Sequence, residues 1–220
     1  MKGEAVTDTP AGRMMPEQVQ GFFTRADGQY LFARWGRPIV PVVFGVDDAT
    51  LSVVKGAIEA VVTLANHKMA EVDPELGANL MLFFCRDWPE LLEVPNLDRL
   101  VPELADLTAR LATAGANQYR VFRFDESGAI RAAFVFVRMD VHLDAVPAEV
   151  LALSQAVQVI LLWSDTAFVG VSPLVDAGGG VALRPEIGAL IRAGYDRILP
   201  AMARDAAHGL RLAARVMSLI

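Results

Sequence analysis

Between Pro147 and Asp165 the chain reads PAEVLALSQAVQVILLWSD, and no other stretch restricts the fold so strongly. Apolar residues recur through it at helical spacing, which predicts one long helix over 147–163 that a globular fold must bury. Its middle is interrupted by Ser154, Gln155 and Gln158. Positions i and i+4 share a helix face, so Ser154 and Gln158 point the same way with Gln155 beside them. H-E-x-x-H uses this layout to place two zinc ligands and a general base on one helix. Here the layout is kept without the chemistry. Neither a hydroxyl nor a carboxamide replaces imidazole on zinc, and glutamine cannot take a proton from bound water as glutamate does.

The 220 residues are divided by no Pro/Gly/Ser-rich linker, so a single domain over 16–220 is expected, preceded by a flexible segment at 1–15. A hydrophobic share of 54% supplies a large core and argues against disorder. The net charge of −6 and the absence of any lysine or arginine run argue against a nucleic-acid partner. Protein surfaces, peptides and small molecules remain as partners. Cys85 is the single cysteine and lies in the apolar run LMLFFC, so an intrachain disulfide is impossible and a buried core position is expected. The first fifteen residues lack the apolar stretch of a signal peptide, and no segment reaches the roughly 18 apolar residues of a membrane span. As written the chain reads as soluble and cytoplasmic; an envelope or periplasmic location follows if a leader has been removed.

Along the chain, Pro16 to Phe23 suggests a short helix. Strands are expected at 39–44, 79–85, 117–125 and 129–138, and helices at 48–66 and 98–113 in addition to the one at 147–163. Asp47 or Asp48 is placed to cap the helix at 48–66, Pro102 counts against an unbroken helix over 98–113, and Gly115 is placed to end it. QYRVFRFD, Glu126-Ser127-Gly128 and AIRAAFVFVRM form the clearest hairpin; Arg120, Phe122 and Phe124 fall on one face of its first strand and Tyr119, Val121 and Arg123 on the other. Beyond Asp165 the chain reads as irregular, with Gly178 to Gly180 a flexible turn, and then as helices near 184–193 and 201–217.

Five separated stretches carry a family resemblance: FARWGRPIVPVVFG, GANLMLFF after a helix, LSQAVQVILLWSD, SPL and LRPEIGALIRAGYDRILPAM. Together, in this order, they resemble a bacterial family known as domain of unknown function 2927, whose topology is similar to that of zincin-like metallopeptidases. In that family a helix with a Glu and Gln pattern leads to a short "lgl-x-nD" turn, which Ser164-Asp165 resembles. An "LYDprlxxGM"-like segment is similar to Ala193 to Met202. The acidic residue the family often carries on the helix is replaced here at Ser154 or Gln155, while the later glutamine is kept as Gln158. The resemblance implies a fold more than an activity.

Other chemistry has less support. His67, His142 and His208 stand on different elements, and none has a second histidine one helical turn away, so no metal site and no cofactor is expected. His67 reads as a charge at a helix C-terminus and His208 as part of a solvated face. Glu186, where some zincins place a third ligand, reads as a first-turn glutamate after Pro185. Ser154, His142 and Asp144 compose a hydrolase triad on paper, but Ser154 lies mid-helix and lacks the G-x-S-x-G turn; a bond to the helix carbonyl at i−4 is the plainer role. Gln155 and Gln158 are expected either to hold a loop such as Val171 to Leu174 or to border a degenerate cleft that takes a peptide along an edge strand without cutting it. Arg204, Arg211 and Arg215 share one face of the last helix, either the solvated side of a core-packing helix or an interaction surface.

The expected architecture is therefore α+β and zincin-like: a mixed, mostly antiparallel sheet packed by long helices. The expected function is that of a non-catalytic, metal-free binding or accessory protein, with a degenerate cleft at Ser154, Gln155, Gln158 and Asp165. The alternative is a peptidase-like hydrolase using a non-standard site around 147–163.

Overall fold

A computed structural model describes residues 14–75 and 77–219; of the segment 1–15 expected to be flexible, residues 1–13 lie outside the described residues. In chain order the elements are α1 (Pro16–Gly21), β1 (Phe32–Ala33), β2 (Pro41–Phe44), α2 (Asp48–Leu64), β3 (Leu80–Cys85), a 3-10 turn (Trp88–Glu93), α3 (Leu97–Leu100), α4 (Leu104–Thr113), β4 (Gln118–Phe124), β5 (Ile130–Arg138), α5 (Ala148–Ile160), β6 (Leu174–Asp176), β7 (Val181–Leu183), α6 (Pro185–Gly194), β8 (Met202–Ala203) and α7 (Ala207–Met217). They form one mixed α/β domain. No helix among the described residues is long and apolar enough to cross a membrane.

The main sheet has the order β2-β3-β5-β4. β2 pairs with β3 and β3 with β5 in parallel, and only the hairpin β4–β5 is antiparallel. The expectation of a mostly antiparallel sheet is thus corrected for this sheet. The reason is legible in β3 and β5: LMLFFC and AAFVFV are apolar at consecutive positions, as strands covered on both faces must be. Leu80, Leu82, Ala133, Val135 and Val137 face the larger core, shared with α2, α5, α6 and α7. Phe83, Cys85, Ala132, Phe134 and Phe136 face a second core, closed by Trp88, Leu91, Leu97, Leu104, Leu107 and Leu111. Cys85 is buried as expected, and burial pushes its thiol up to about 11.

Several boundaries follow from single residues. Asp47 caps α2, its carboxylate accepting from Thr50 N–H at 2.8 Å. The helix expected over 98–113 is split: Val101, ahead of Pro102, leaves the α region, and the chain re-enters a helix at Leu104. The segment after Asp165 contains a short hairpin, β6–β7, turned by Gly178 and Gly179 at φ of 72° and 120°, which only glycine adopts without strain. The 201–217 helix begins later, at Ala207, because Met202–Ala203 pairs with β1 instead.

Helix α5 ends at Ile160, earlier than its apolar run suggests. Leu161 is extended and bridges to Arg34, while Leu162 N–H donates to Ala33 carbonyl at 2.9 Å. The carbonyls left open at its end are taken up by side chains. Trp163 Nε1 donates to Val157, Trp35 Nε1 to Val159 and Tyr195 Oη to Ile160, each at 2.8 Å. Stretches far apart in sequence, FARWG, LLWSD and AGYD, therefore meet at one helix terminus.

Candidate functional site

β4 is the outer strand of the main sheet, and α5 crosses the face behind it. Register sets Gln118, Arg120 and Phe122 toward α5, opposite Val137, Val135 and Ala133 of β5. Phe124 pairs with Ile130 of the larger core past a register shift at Arg123/Phe124, so it keeps the face predicted for Arg120, Phe122 and Phe124, but at the end of the strand it is left exposed. Nor is the opposite face left open: Arg123 Nη2 donates to Leu100 carbonyl at 3.2 Å, and Val121 packs on the second core.

Gln155 is fully buried, and its partners lie on β4. Its Oε1 accepts from Arg120 Nη2 at 2.7 Å, and its Nε2 donates to Gln118 Oε1 at 2.8 Å; Arg120 Nη2 also donates to Gln118 Oε1 at 3.1 Å. Gln158 Nε2 donates to Ser154 Oγ at 2.9 Å, one turn along the same face. The loop Val171 to Leu174 is thus not what these amides hold, and Ser154 serves as an acceptor for Gln158 instead of bonding its own helix at i−4. A helix facing a strand offers nearer partners than a distant loop.

Of the four candidates, Gln158 and Asp165 line a cleft of about 470 Å³, together with Arg25, Tyr119, Arg120, Phe122, Trp163 and Phe168. Ser154 and Gln155 sit behind this lining. The aromatic wall is ordered by its own contacts: Trp163 meets Phe168 edge-on at 5.0 Å and stacks on Phe23 at 5.4 Å. Asp165 Oδ1 accepts from Ala26 N–H at 3.0 Å, tying the end of the α5 segment to the loop that carries Arg25. Ser164 closes the same junction through its N–H to Phe22 carbonyl at 2.8 Å.

Arg120 is the residue that sequence reasoning passed over. Burial pulls its guanidinium down to about 10, so it remains a cation at neutral pH. The signal was present: a lone arginine sharing the inward face of a strand with a phenylalanine has to find a polar partner across the core.

Elsewhere the structure revises the histidines. His208 is not on a solvated face; it is fully buried against Phe32 with Nδ1 2.7 Å from Tyr30 Oη, and burial lowers it to about 4. His67 does close the C-terminal end of α2, its N–H donating to Val62 carbonyl at 3.0 Å, but burial lowers its pKa and so works against the charge expected there, while Nε2 meets Arg37 carbonyl at 2.9 Å. His142 is exposed in a turn organised by Asp140, and no hydrogen bond joins it to Ser154 among the described residues. Glu186 occupies the first turn of α6 and pairs with Arg184 at 3.9 Å. Helix α7 packs into the core through Leu212, Ala213 and Val216, and Arg215 pairs with Asp196. Among the described residues no three His, Cys, Asp or Glu side chains gather in a metal-binding group.

No family model, curated protein or solved structure matches the chain. The site must be read from its own geometry.

Proposed function

We propose that the protein is a non-catalytic, zincin-like binding or accessory protein whose cleft takes an extended peptide segment beside the open edge of β4. Three features support the kinship. The antiparallel edge strand is followed by β5 and then by a helix lying behind that edge; the resembling stretches FARWG, LLWSD and AGYD converge on the end of that helix; and Asp165 follows it at the cleft rim.

The observation that carries the non-catalytic reading is the commitment of Gln155. At the place where H-E-x-x-H sets its glutamate, this chain has an amide that accepts from Arg120 and donates to Gln118. An amide so held neither receives a proton from water nor is free to turn toward a substrate. Ser154 and Gln158, at the histidine positions, bond to each other. An extended peptide adding to β4 draws affinity from main-chain bonds and selectivity from the adjoining cleft.

Purified full-length protein should bind peptides in calorimetric titration while leaving peptide and ester substrates intact. The hydrolase alternative predicts turnover that is lost in Gln155→Ala. Such turnover, or stoichiometric tightly held zinc, overturns the non-catalytic reading.

A further inference from the structure

The cleft beside β4 contains a cation with no anionic partner. Arg37, Arg131, Arg138, Arg184 and Arg215 each meet a carboxylate, whereas among the described residues Arg120 meets none. Its two bonds go from Nη2 to the neutral amides of Gln118 and Gln155. Nε is buried without an acceptor, and Nη1 makes no hydrogen bond to a described residue. Arg120 is half-buried, with its Nε covered and its Nη2 answered only by neutral amides, so part of its desolvation cost is unmet, and an anion in the cleft supplies what is missing.

The other charged groups facing the cleft define that anion. Arg25 and Asp165 line it with Arg120, so two positive side chains stand against one negative, and the surplus matches a monoanion. Nη1 is left to donate a charge-assisted hydrogen bond to a carboxylate oxygen, and the Trp163 and Phe168 rings lining the same cleft suit an apolar group on the same ligand. The cleft volume of about 470 Å³ admits a terminal residue or two.

We propose that Arg120 anchors a ligand carboxylate in this cleft, with the neighbouring apolar group of the ligand against Trp163 and Phe168. The occupant is a peptide that ends in a free carboxylate after an apolar residue. This assignment rests on the binding role proposed above and adds the chemistry of what is bound. Gln155 gains a reason to be an amide: a glutamate there would neutralise Arg120 internally and close the anion site.

The test is calorimetric titration of the full-length protein with three probes: acetyl-Ala-Ala-Leu as the free acid, the same peptide as its C-terminal amide, and acetyl-Ala-Glu-Ala-amide. The free acid is expected to bind at least about tenfold more tightly than its amide, the worth of one charge-assisted bond. Arg120→Gln removes that preference. Gln155→Glu, which gives Arg120 a counter-charge, removes it too while leaving Tm unchanged or higher, an outcome that a misfolded variant would not give. Tight binding of the glutamate peptide assigns the carboxylate to an acidic side chain and keeps the anchor. Equal binding of acid and amide overturns the anchor but leaves peptide binding standing. Failure of all three probes to bind overturns both.

Discussion

His208 carries a proton equilibrium into the core. Phe32 and Tyr30 pack on its ring, Arg211 opposes its charge and Asp205 favours it, with burial the dominant effect. Its folded pKa of about 4 lies below the ordinary 6.5. Between these values the unfolded chain holds a proton that the folded chain refuses, so stability is complete above 6.5 and falls as pH drops toward 4. His67 shifts in the same direction and adds to the fall. After discounting for solvent screening, the His208 share is about 1–2 kcal/mol, or roughly 2–8 °C in Tm. His208→Asn, which keeps a polar atom for Tyr30, should flatten the slope of Tm between pH 7 and 4; parallel slopes in variant and wild type would refute the assignment. Carboxylates with lowered pKa, among them Asp47, Asp140 and Asp196, act in a separate window: their contribution is present above about 4 and is lost below it. At this scale, legibility in the sequence tracked the distance between partners. Ser154, Gln155 and Gln158 stood out because helical spacing is local, and the Gln158–Ser154 bond spans one turn. Arg120 lies 35 residues from Gln155, and their pairing depends on where a strand docks against a helix.

The elements were legible wherever one face or one cap defines them. β2, β3, β4 and β5 fall within the expected spans, and Asp47 caps α2 because a side-chain oxygen at that position meets the N–H three residues on. Boundaries set by distant groups were not. The end of α5 is fixed by Trp35, Tyr195 and the Arg34–Leu161 bridge, none of which the helix's own periodicity reflects. The β2–α2 connection offers a graded test of local encoding. Gly45 has φ of +82°, and a Cβ there would lie 1.9 Å from Phe84 carbonyl oxygen, a backbone atom that cannot turn aside. Gly45→Ala should therefore cost more than about 2 kcal/mol. Asp47→Ala, two residues on, should cost only about 1 kcal/mol by loss of the cap. Urea denaturation of both variants measures the order; an equal or smaller loss for Gly45→Ala would show that the β2 end moves freely away from β3.

For the whole molecule, the deciding feature is that two hydrophobic cores share one sheet. Local patterns foretold apolar strands but not their mutual direction, since parallel and antiparallel ladders accept the same alternation; only the unbroken apolar runs of β3 and β5 signalled cover on both sides. Leu82 points into the larger core and Phe134 into the smaller, and both are buried on neighbouring strands, with Leu82 opposite Val135 and Met81 opposite Phe134. Neither core can melt without exposing a face of strands that the other still needs. A chain of 220 residues exceeds the size at which all-or-none unfolding is routine, so cooperativity across the sheet is a specific expectation and not a default. Leu82→Ala should cost about 2–5 kcal/mol and Phe134→Ala about 3–5 kcal/mol. Each should lower the same single calorimetric transition, with calorimetric and van't Hoff enthalpies in agreement. If Phe134→Ala instead detached an early transition that Leu82→Ala left in place, the helices α3 and α4 with their turn would be a separately melting layer. The open edge of β4, held between both cores, would then owe its position to the larger one alone.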